Sequence, residues 1–241
     1  MSTPSRDLAE IVWGDNGTPI AARFDDPYYS RLDGRAEAGH VFLGGNSLPE
    51  RFAGRQGFTI GELGFGTGLN FFETLAAWRA AAPAAAILTY ISFERYPLST
   101  EDLRRAIACW PELSDDCEIL CRHWPPTGDR CEIAFPRANL VVVVGDVNET
   151  LPTWAGAADA WFLDGFSPAK NPDMWGEALL AEVFRQTRPG GTFATFTAAG
   201  WVRRNLAGAG FEVQKTAGYG RKRECLKGQK PLAAASLSEP R

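Results

Sequence analysis

No apolar run in the 241 residues approaches the roughly 20 needed to span a bilayer as a helix. The opening stretch, Met1 to Glu10, is polar and has no apolar core of the kind a secretory signal needs. A cytoplasmic protein that does not enter membranes is therefore expected. Cysteine is too sparse for a framework: there are five, an odd number, and no Cys-x-x-Cys occurs. Without a signal peptide this argues against disulfides. Cys109, Cys117, Cys121 and Cys131 fall in one stretch with His123, but the spacing matches no zinc pattern. Buried or incidental thiols are expected there, and no metal. A basic surplus is also missing. The formal net charge is −4, whereas proteins that grip phosphates usually carry excess positive charge. Nucleic-acid binding would need a local patch, such as Arg221-Lys222-Arg223 or Arg203-Arg204, which charge alone reads as solvated faces. No internal repeat is visible. An apolar content of 45% is ordinary for a globular chain of this length.

What is present is an alternation. Ile11 to Trp13, then Asn16-Gly17, then Pro19 to Phe24 predict a hairpin. Short apolar runs at 58–63, 87–93, 139–145, 160–163, 191–196 and 211–215 predict strands, with one more at about 223–227. Helical patterns separate them at 69–82, 99–109, 174–187 and 201–207, the second capped by Ser99. The run Val141-Val-Val-Val144 suits a central parallel strand. This order predicts an α/β, Rossmann-like, mostly parallel doubly wound sheet. Residues 1–56 read as an N-terminal extension packed on the core, and 57–228 as the main domain. The stretch at about 110–138 is too long for a simple connection and reads as an inserted hairpin. The Ala/Ser/Pro-rich segment 229–241 reads as a flexible tail or linker.

The densest motif is Glu62-Leu-Gly64-Phe-Gly66-Thr-Gly68-Leu-Asn70, at a strand end opening a helix. Glycines there let backbone approach a ligand closely. A dinucleotide fingerprint spaces its glycines G-x-G-x-x-G. Here the third falls one residue early and an acid precedes the first. A diphosphate wants helix-end N–H groups and no nearby anion. S-adenosylmethionine has no phosphate but carries an amino group and a sulfonium, so Glu62 suits it. Glu94, at the end of the next strand, is placed to accept ribose hydroxyls. Asp146, after the third, is placed to accept from the adenine amino group. The fourth strand ends at Asp164, which belongs to the same crevice and can accept a hydrogen bond from an amine. The loop after it, Gly165 to Pro172, is held by two prolines and can position a nucleophile.

Several strings together resemble one family. They are Phe24-Asp-Asp-Pro-Tyr-Tyr-Ser30, the Glu62–Asn70 loop, Ser92-Phe-Glu94, the run from Asp159 to Trp175, Phe193 to Gly200 with Val202-Arg-Arg204, and Gly218 to Glu224. The family is the class I S-adenosylmethionine methyltransferase of the tRNA wobble-uridine 5-methylaminomethyl pathway. It occurs as a stand-alone enzyme (MnmD) or as the N-terminal half of a bifunctional protein (MnmC). The resemblance runs from about Trp13 to Gly228. It implies methylation of the aminomethyl group of 5-aminomethyl-2-thiouridine in the anticodon of tRNA, with S-adenosylmethionine as donor. It implies Asp164 at the amine, and Phe166, Lys170 and Asn171 on the substrate side. It also implies Tyr28 and Tyr29 as stacking faces for a flipped base, and Arg221, Lys222 and Arg223 as phosphate contacts. A flavin-dependent oxidase domain is the expected companion if the chain is an excised half of the bifunctional form. Three other readings stay open: an N-methyltransferase for a small-molecule or protein amine, a nicotinamide-dependent dehydrogenase, and a non-catalytic nucleoside-binding module.

Overall fold

The computed structural model describes residues 7–30, 33–220 and 222–232. It opens with a small antiparallel sheet of β1 (Ile11–Trp13), β2 (Pro19–Ala21) and β3 (Asp26–Pro27). Asn16-Gly17 lies in the tight turn between β1 and β2, closed by Gly17 N–H on the Gly14 carbonyl and Gly14 N–H on the Thr18 carbonyl, with Gly17 at φ +76°. A short helix, α1 (Gly34–Ala38), is capped by the Asp33 carboxylate on Ala36 N–H. Irregular turns then lead to β4 (Gly57–Leu63) and the long helix α2 (Leu69–Ala81).

From there strands and helices alternate. They are β5 (Ile87–Glu94), α3 (Thr100–Ile107), α4 (Ser114–Cys121), β6 (Arg130–Phe135) and β7 (Ala138–Val144). Next come α5 (Val147–Thr150), β8 (Ala158–Leu163), α6 (Glu177–Arg185) and β9 (Thr187–Thr195). The chain continues through α7 (Gly200–Ala209), β10 (Glu212–Ala217) and β11 (Glu224–Gln229). The main sheet has the order β10-β11-β9-β8-β4-β5-β7-β6. The central pairs β9–β8, β8–β4, β4–β5 and β5–β7 are parallel, as the alternation predicts. The chain runs outward from β4 through β5 to β7, then returns to the other side of β4 with β8. Strand order therefore reverses at β4, and a crevice opens beyond its carboxyl end.

Strand side chains point alternately to two buried faces, because the side-chain period of a strand is two. Ile60, Leu88, Tyr90, Ala160 and Phe162 pack on one face with α2 and with Phe42, Leu48 and Phe52 from the turns after α1. Leu63, Ile91, Phe93, Trp161 and Leu163 pack on the other with Leu180 and Val183 of α6 and Val202 and Leu206 of α7. The Ser99 cap is present, its hydroxyl accepting Asp102 N–H at 3.0 Å.

Local departures from the sequence reading have clear causes. The segment at 110–138 is not only a hairpin. It contributes α4, and its strand β6 pairs antiparallel with the core strand β7. α4 carries acids in its first turn and buries Cys117, Leu120 and Cys121; it is too short for a strong periodic signal. The helix expected at 174–187 begins only at Glu177, because Gly176 is extended at φ −64° and ψ 155°. Arg188 to Gly191 does not precede β9 but bulges within it, between the pairs Ala158–Thr187 and Ala160–Thr192.

Gly61 faces the fully buried Trp161 across the β4–β8 pair, and a Cβ there would lie 2.5 Å from the indole ring. Gly61→Ala is therefore expected to destabilise the protein by about 1–3 kcal/mol through overpacking. The urea midpoint measures this, and an unchanged midpoint would show that the ring has room to move.

Candidate active site

The turn after β4 is built so that two neighbouring strands can end at one point. Gly64 has φ +91°, and a Cβ on it would stand 2.2 Å from the backbone oxygen of Asp164. Only glycine lets the β4 and β8 ends approach this closely. Two residues on, Gly66 packs under the Tyr28 ring, and Gly68 is the N-cap of α2.

Asn70, in the first turn of α2, donates through its side-chain amide to two carboxylates. Its Nδ2 lies 3.0 Å from Glu62 Oε1 and 2.7 Å from Asp164 Oδ2. Glu62 is fully buried, and its second oxygen accepts the Ser92 hydroxyl at 2.7 Å. Burial pushes Glu62 up to about 8, with the nearby Asp164 charge raising it further. Burial likewise pushes Asp164 up to about 7; the charges of Glu37 and Asp26 add to this, while Asn70 and Lys222 oppose it. The fully buried Tyr90 hydroxyl, beside Glu62, is also held well above its ordinary value. Glu94 accepts Gly66 N–H at 2.9 Å and Tyr96 N–H at 2.7 Å, and burial raises it as well.

A cavity of about 1570 Å³ opens over these groups. Pockets for one drug-sized ligand reach roughly 1,000 Å³ at most, so the space admits two occupants side by side. Its wall includes Gly64 to Thr67, Asn70, Glu94 and Asp146, together with Tyr28, Glu37, Phe166, Asn171, Phe196 and Lys222. Asp164 lines the cavity, as do both ends of the glycine turn.

Most of the residues singled out in the sequence thus come together, with several differences of position. Glu62 and Gly68 do not line the cavity. Glu62 stands behind Asn70 and acts on the site through it, and Gly68 supports the helix start. Asp146 does line the cavity, while also capping α5 through Asn148 N–H and pairing with Arg95 at 2.6 Å. Lys170 does not line the cavity. Its ammonium turns to the Asp25 carbonyl and lies 3.6 Å from Asp26, tying the Asp164 loop to β3. Tyr29 reaches the cavity, but its hydroxyl donates to the Ala106 carbonyl and its ring packs on Trp110. Tyr28 lies on the glycine turn as much as on the substrate side, edge-on to Phe166 at 5.4 Å. Lys222 and Arg223 line the cavity, and Arg221 lies outside the described residues. Among the described residues no cluster of His, Cys, Asp or Glu suited to a metal ion occurs, and no helix is long and apolar enough to cross a membrane.

Three contributors escaped the sequence. Phe24 stacks on Phe166, centroids 4.4 Å apart. Asp26 accepts Ser167 N–H at 2.8 Å and so fixes the loop after β8. Glu37 bonds Ser30 N–H and the Lys222 ammonium. The aromatic–acidic character of residues 24–30 was a signal for the first two. Nothing in the spacing pointed Glu37 into the cavity.

The donor set decides what such a site accepts. The Gly66 N–H, which a diphosphate would use, is already taken by Glu94. Carboxylates at Glu94, Asp146 and Asp164 suit a ligand rich in donors and positive charge. S-adenosylmethionine, with its ribose diol, adenine amino group, ammonium and sulfonium, is a ligand of that kind.

Comparison with known proteins agrees. The sequence profile of a family described as S-adenosyl-L-methionine-dependent methyltransferase matches residues 111–231. A tRNA 5-methylaminomethyl-2-thiouridine biosynthesis bifunctional protein MnmC from Stutzerimonas stutzeri is 46% identical over 96% of this chain and 36% of its own length. The protein of the same name from Caulobacter vibrioides is 48% identical over 92% of this chain and 38% of its own. The chain thus spans a little over a third of the length of these relatives. The crystal structure of MNMC2 from Aquifex aeolicus superposes with a TM-score of 0.74 at 25% identity, covering 97% of this chain and 74% of that one.

Glu62 and Asp164, two of the three raised carboxylates, contribute a pH dependence to stability. Between about 4 and about 8 the folded protein holds protons on Glu62 and Asp164 that the unfolded chain has released. Stability of the ligand-free protein should therefore fall as pH rises through this window. Glu62→Gln keeps an oxygen to accept from Asn70, turns the other position into a donor toward the Ser92 hydroxyl and removes the buried charge. It should flatten the curve and raise stability at pH 8 by roughly 1–3 kcal/mol. Urea titrations across pH read this directly, and parallel curves for the two proteins would refute it.

Proposed function

The chain belongs to the S-adenosyl-L-methionine-dependent methyltransferase family, and from that membership we propose that it methylates the aminomethyl nitrogen of 5-aminomethyl-2-thiouridine at the tRNA wobble position, giving 5-methylaminomethyl-2-thiouridine. The observation that carries the proposal is the place of Asp164, a partly buried carboxylate that accepts from Asn70 and lines the same cavity as the glycine turn and the Phe166 ring. The names of the MnmC relatives support the choice of nucleoside.

When bound, S-adenosylmethionine supplies an electrophilic methyl group on a sulfonium. The residues of the chain do the rest by placement. Glu94 is set to accept the ribose hydroxyls and Asp146 to accept from adenine, which fixes the donor along the carboxyl ends of the strands. Phe166, stacked on Phe24 and edge-on to Tyr28, offers a rigid aromatic wall against a base flipped out of the anticodon. Asp164 accepts a hydrogen bond from the aminomethyl group. An alkylammonium titrates near about 10.4, so its proton must leave before the lone pair can attack. A carboxylate raised toward neutrality is a better acceptor for that proton than an ordinary one. Alignment of the lone pair with the methyl group then supplies much of the rate. Lys222 and Arg223 at the cavity are the local positive charge that the overall balance lacks. The partner on this reading is the anticodon region of tRNA in the cytoplasm, with a flavin-dependent oxidase activity acting on the same nucleoside.

The test is transfer of labelled methyl from S-adenosylmethionine to tRNA taken from cells that lack this activity. The wild type should label the wobble nucleoside, and Asp164→Asn should lose at least ~100-fold in rate. Labelling that the variant retains would remove Asp164 from its role. A wild type that binds the cofactor yet labels no tRNA would shift the reading to a small-molecule or protein amine.

A further inference from the structure

Lys222, part of the cavity's positive charge, is held in an ion pair whose carboxylate, Glu37, has no part in the mechanism above. Glu37 projects from α1 with a side chain only 12% exposed. One of its oxygens accepts Ser30 N–H at 2.8 Å, and the other accepts the Lys222 ammonium at 3.0 Å. Lys222 comes from the turn between β10 and β11 and holds its ammonium 4.2 Å above the centre of the Phe196 ring. Both side chains line the cavity that Asp164 faces.

The groups around Asp164 come from every element packed on it. They are Glu62 from β4, Asn70 from α2, Tyr90 from β5, Asp26 from β3, Glu37 from α1 and Lys222 from the β10–β11 turn. Of these only Lys222 is a cation, and its charge already acts on Asp164. A lysine ammonium is also chemically close to the aminomethyl group that the proposed reaction brings to Asp164. Left unpaired, it is the natural competitor for that carboxylate.

We propose that Glu37 is a positioning residue for the methyl transfer: it holds the Lys222 ammonium against Phe196 and away from Asp164, leaving the Asp164 carboxylate for the substrate amine. The inference rests on the function proposed above. Glu37 acts by charge and by geometry. Its charge keeps Asp164 basic, and its contact with Lys222 keeps the acceptor unoccupied. Ser30 N–H fixes the carboxylate in place, so the lysine is bound to a part of the wall that does not swing with the substrate.

Glu37→Gln tests this cleanly, because the amide oxygen still accepts Ser30 N–H while the charge is lost. The first readout is the ¹³C-carboxyl titration of Asp164 in the ligand-free protein, assigned by its disappearance in Asp164→Asn. In Glu37→Gln the midpoint should fall by about one pH unit or more as Lys222 turns to Asp164. The second is kcat/KM for methyl transfer, which should drop by about tenfold or more. Removing the lysine as well, in Glu37→Gln/Lys222→Met, should bring the Asp164 midpoint back up and lift the rate above that of Glu37→Gln alone. A merely structural role gives no such recovery. An Asp164 midpoint that stays in place in Glu37→Gln, or a double variant worse than either single one, overturns the proposal. The titration needs no substrate, so it decides Glu37 independently of whether the wild type methylates tRNA.

Discussion

The site depends on a single amide. The side-chain NH₂ of Asn70 gives one hydrogen to Glu62 and the other to Asp164, carboxylates that end adjacent parallel strands. Two acids this close, Glu62 fully and Asp164 partly buried, repel each other and lose hydration, a cost that only donors can offset. The Ser92 hydroxyl and the Asn70 amide are those donors for Glu62. The geometry in turn requires Gly64, since any Cβ there would drive the Asp164 backbone away. The acid before the first glycine, the early third glycine and the asparagine after it are therefore one device. Each residue is needed so that Asp164 can sit partly buried, basic and hydrogen-bonded at the reversal of strand order.

This device inverts the electrostatics of a nucleotide-binding turn without changing its shape. A phosphate-binding turn leaves its N–H groups and helix dipole open to an anion. Here Glu94 occupies the Gly66 N–H, and Glu62 and Asp164 stand at the start of α2. The result is a strand–glycine–helix crevice that attracts cations and donors. A nicotinamide dinucleotide meets the wrong sign of charge at its diphosphate, which is the physical ground for setting that reading aside.

The sheet, its parallel centre and the run of Gly64, Gly66, Glu94, Asp146 and Asp164 around one crevice were legible because they are local. Each sits at the end of an apolar run whose period and length announce a strand, and the fold rule places strand ends together. Contacts made across long sequence separations were not legible. Lys170 reads as a substrate residue but pairs with Asp25 and Asp26, more than a hundred residues earlier. Glu37 carries no signal in the sequence, and its place is set only when the β10–β11 turn brings Lys222 to it. Helix α4 failed for another reason: a brief amphipathic segment between prolines and glycine gives too few turns for periodicity to speak.

The segment before β4 matters because the strand-end loops alone do not fix a substrate wall. It is tied to the core at four points on three loops. Asp26 holds Ser167, Phe24 stacks on Phe166, Tyr28 covers Gly66, and Glu37 grips Lys222. The hydrogen bond at Ser167 and the Lys170 contacts set where the loop after Asp164 lies. The stacked rings set where a base would rest. For a displacement at carbon, where attacking atom, methyl and leaving group must align, errors of about 1 Å cost roughly a hundredfold. Cross-bracing of this kind therefore does catalytic work although few of these residues would touch a reacting atom. On the proposed function, Lys222 and Arg223 at the cavity and the aromatic wall of Phe24, Tyr28 and Phe166 would let an acidic protein take up an anionic polymer by one extruded base rather than by its overall charge.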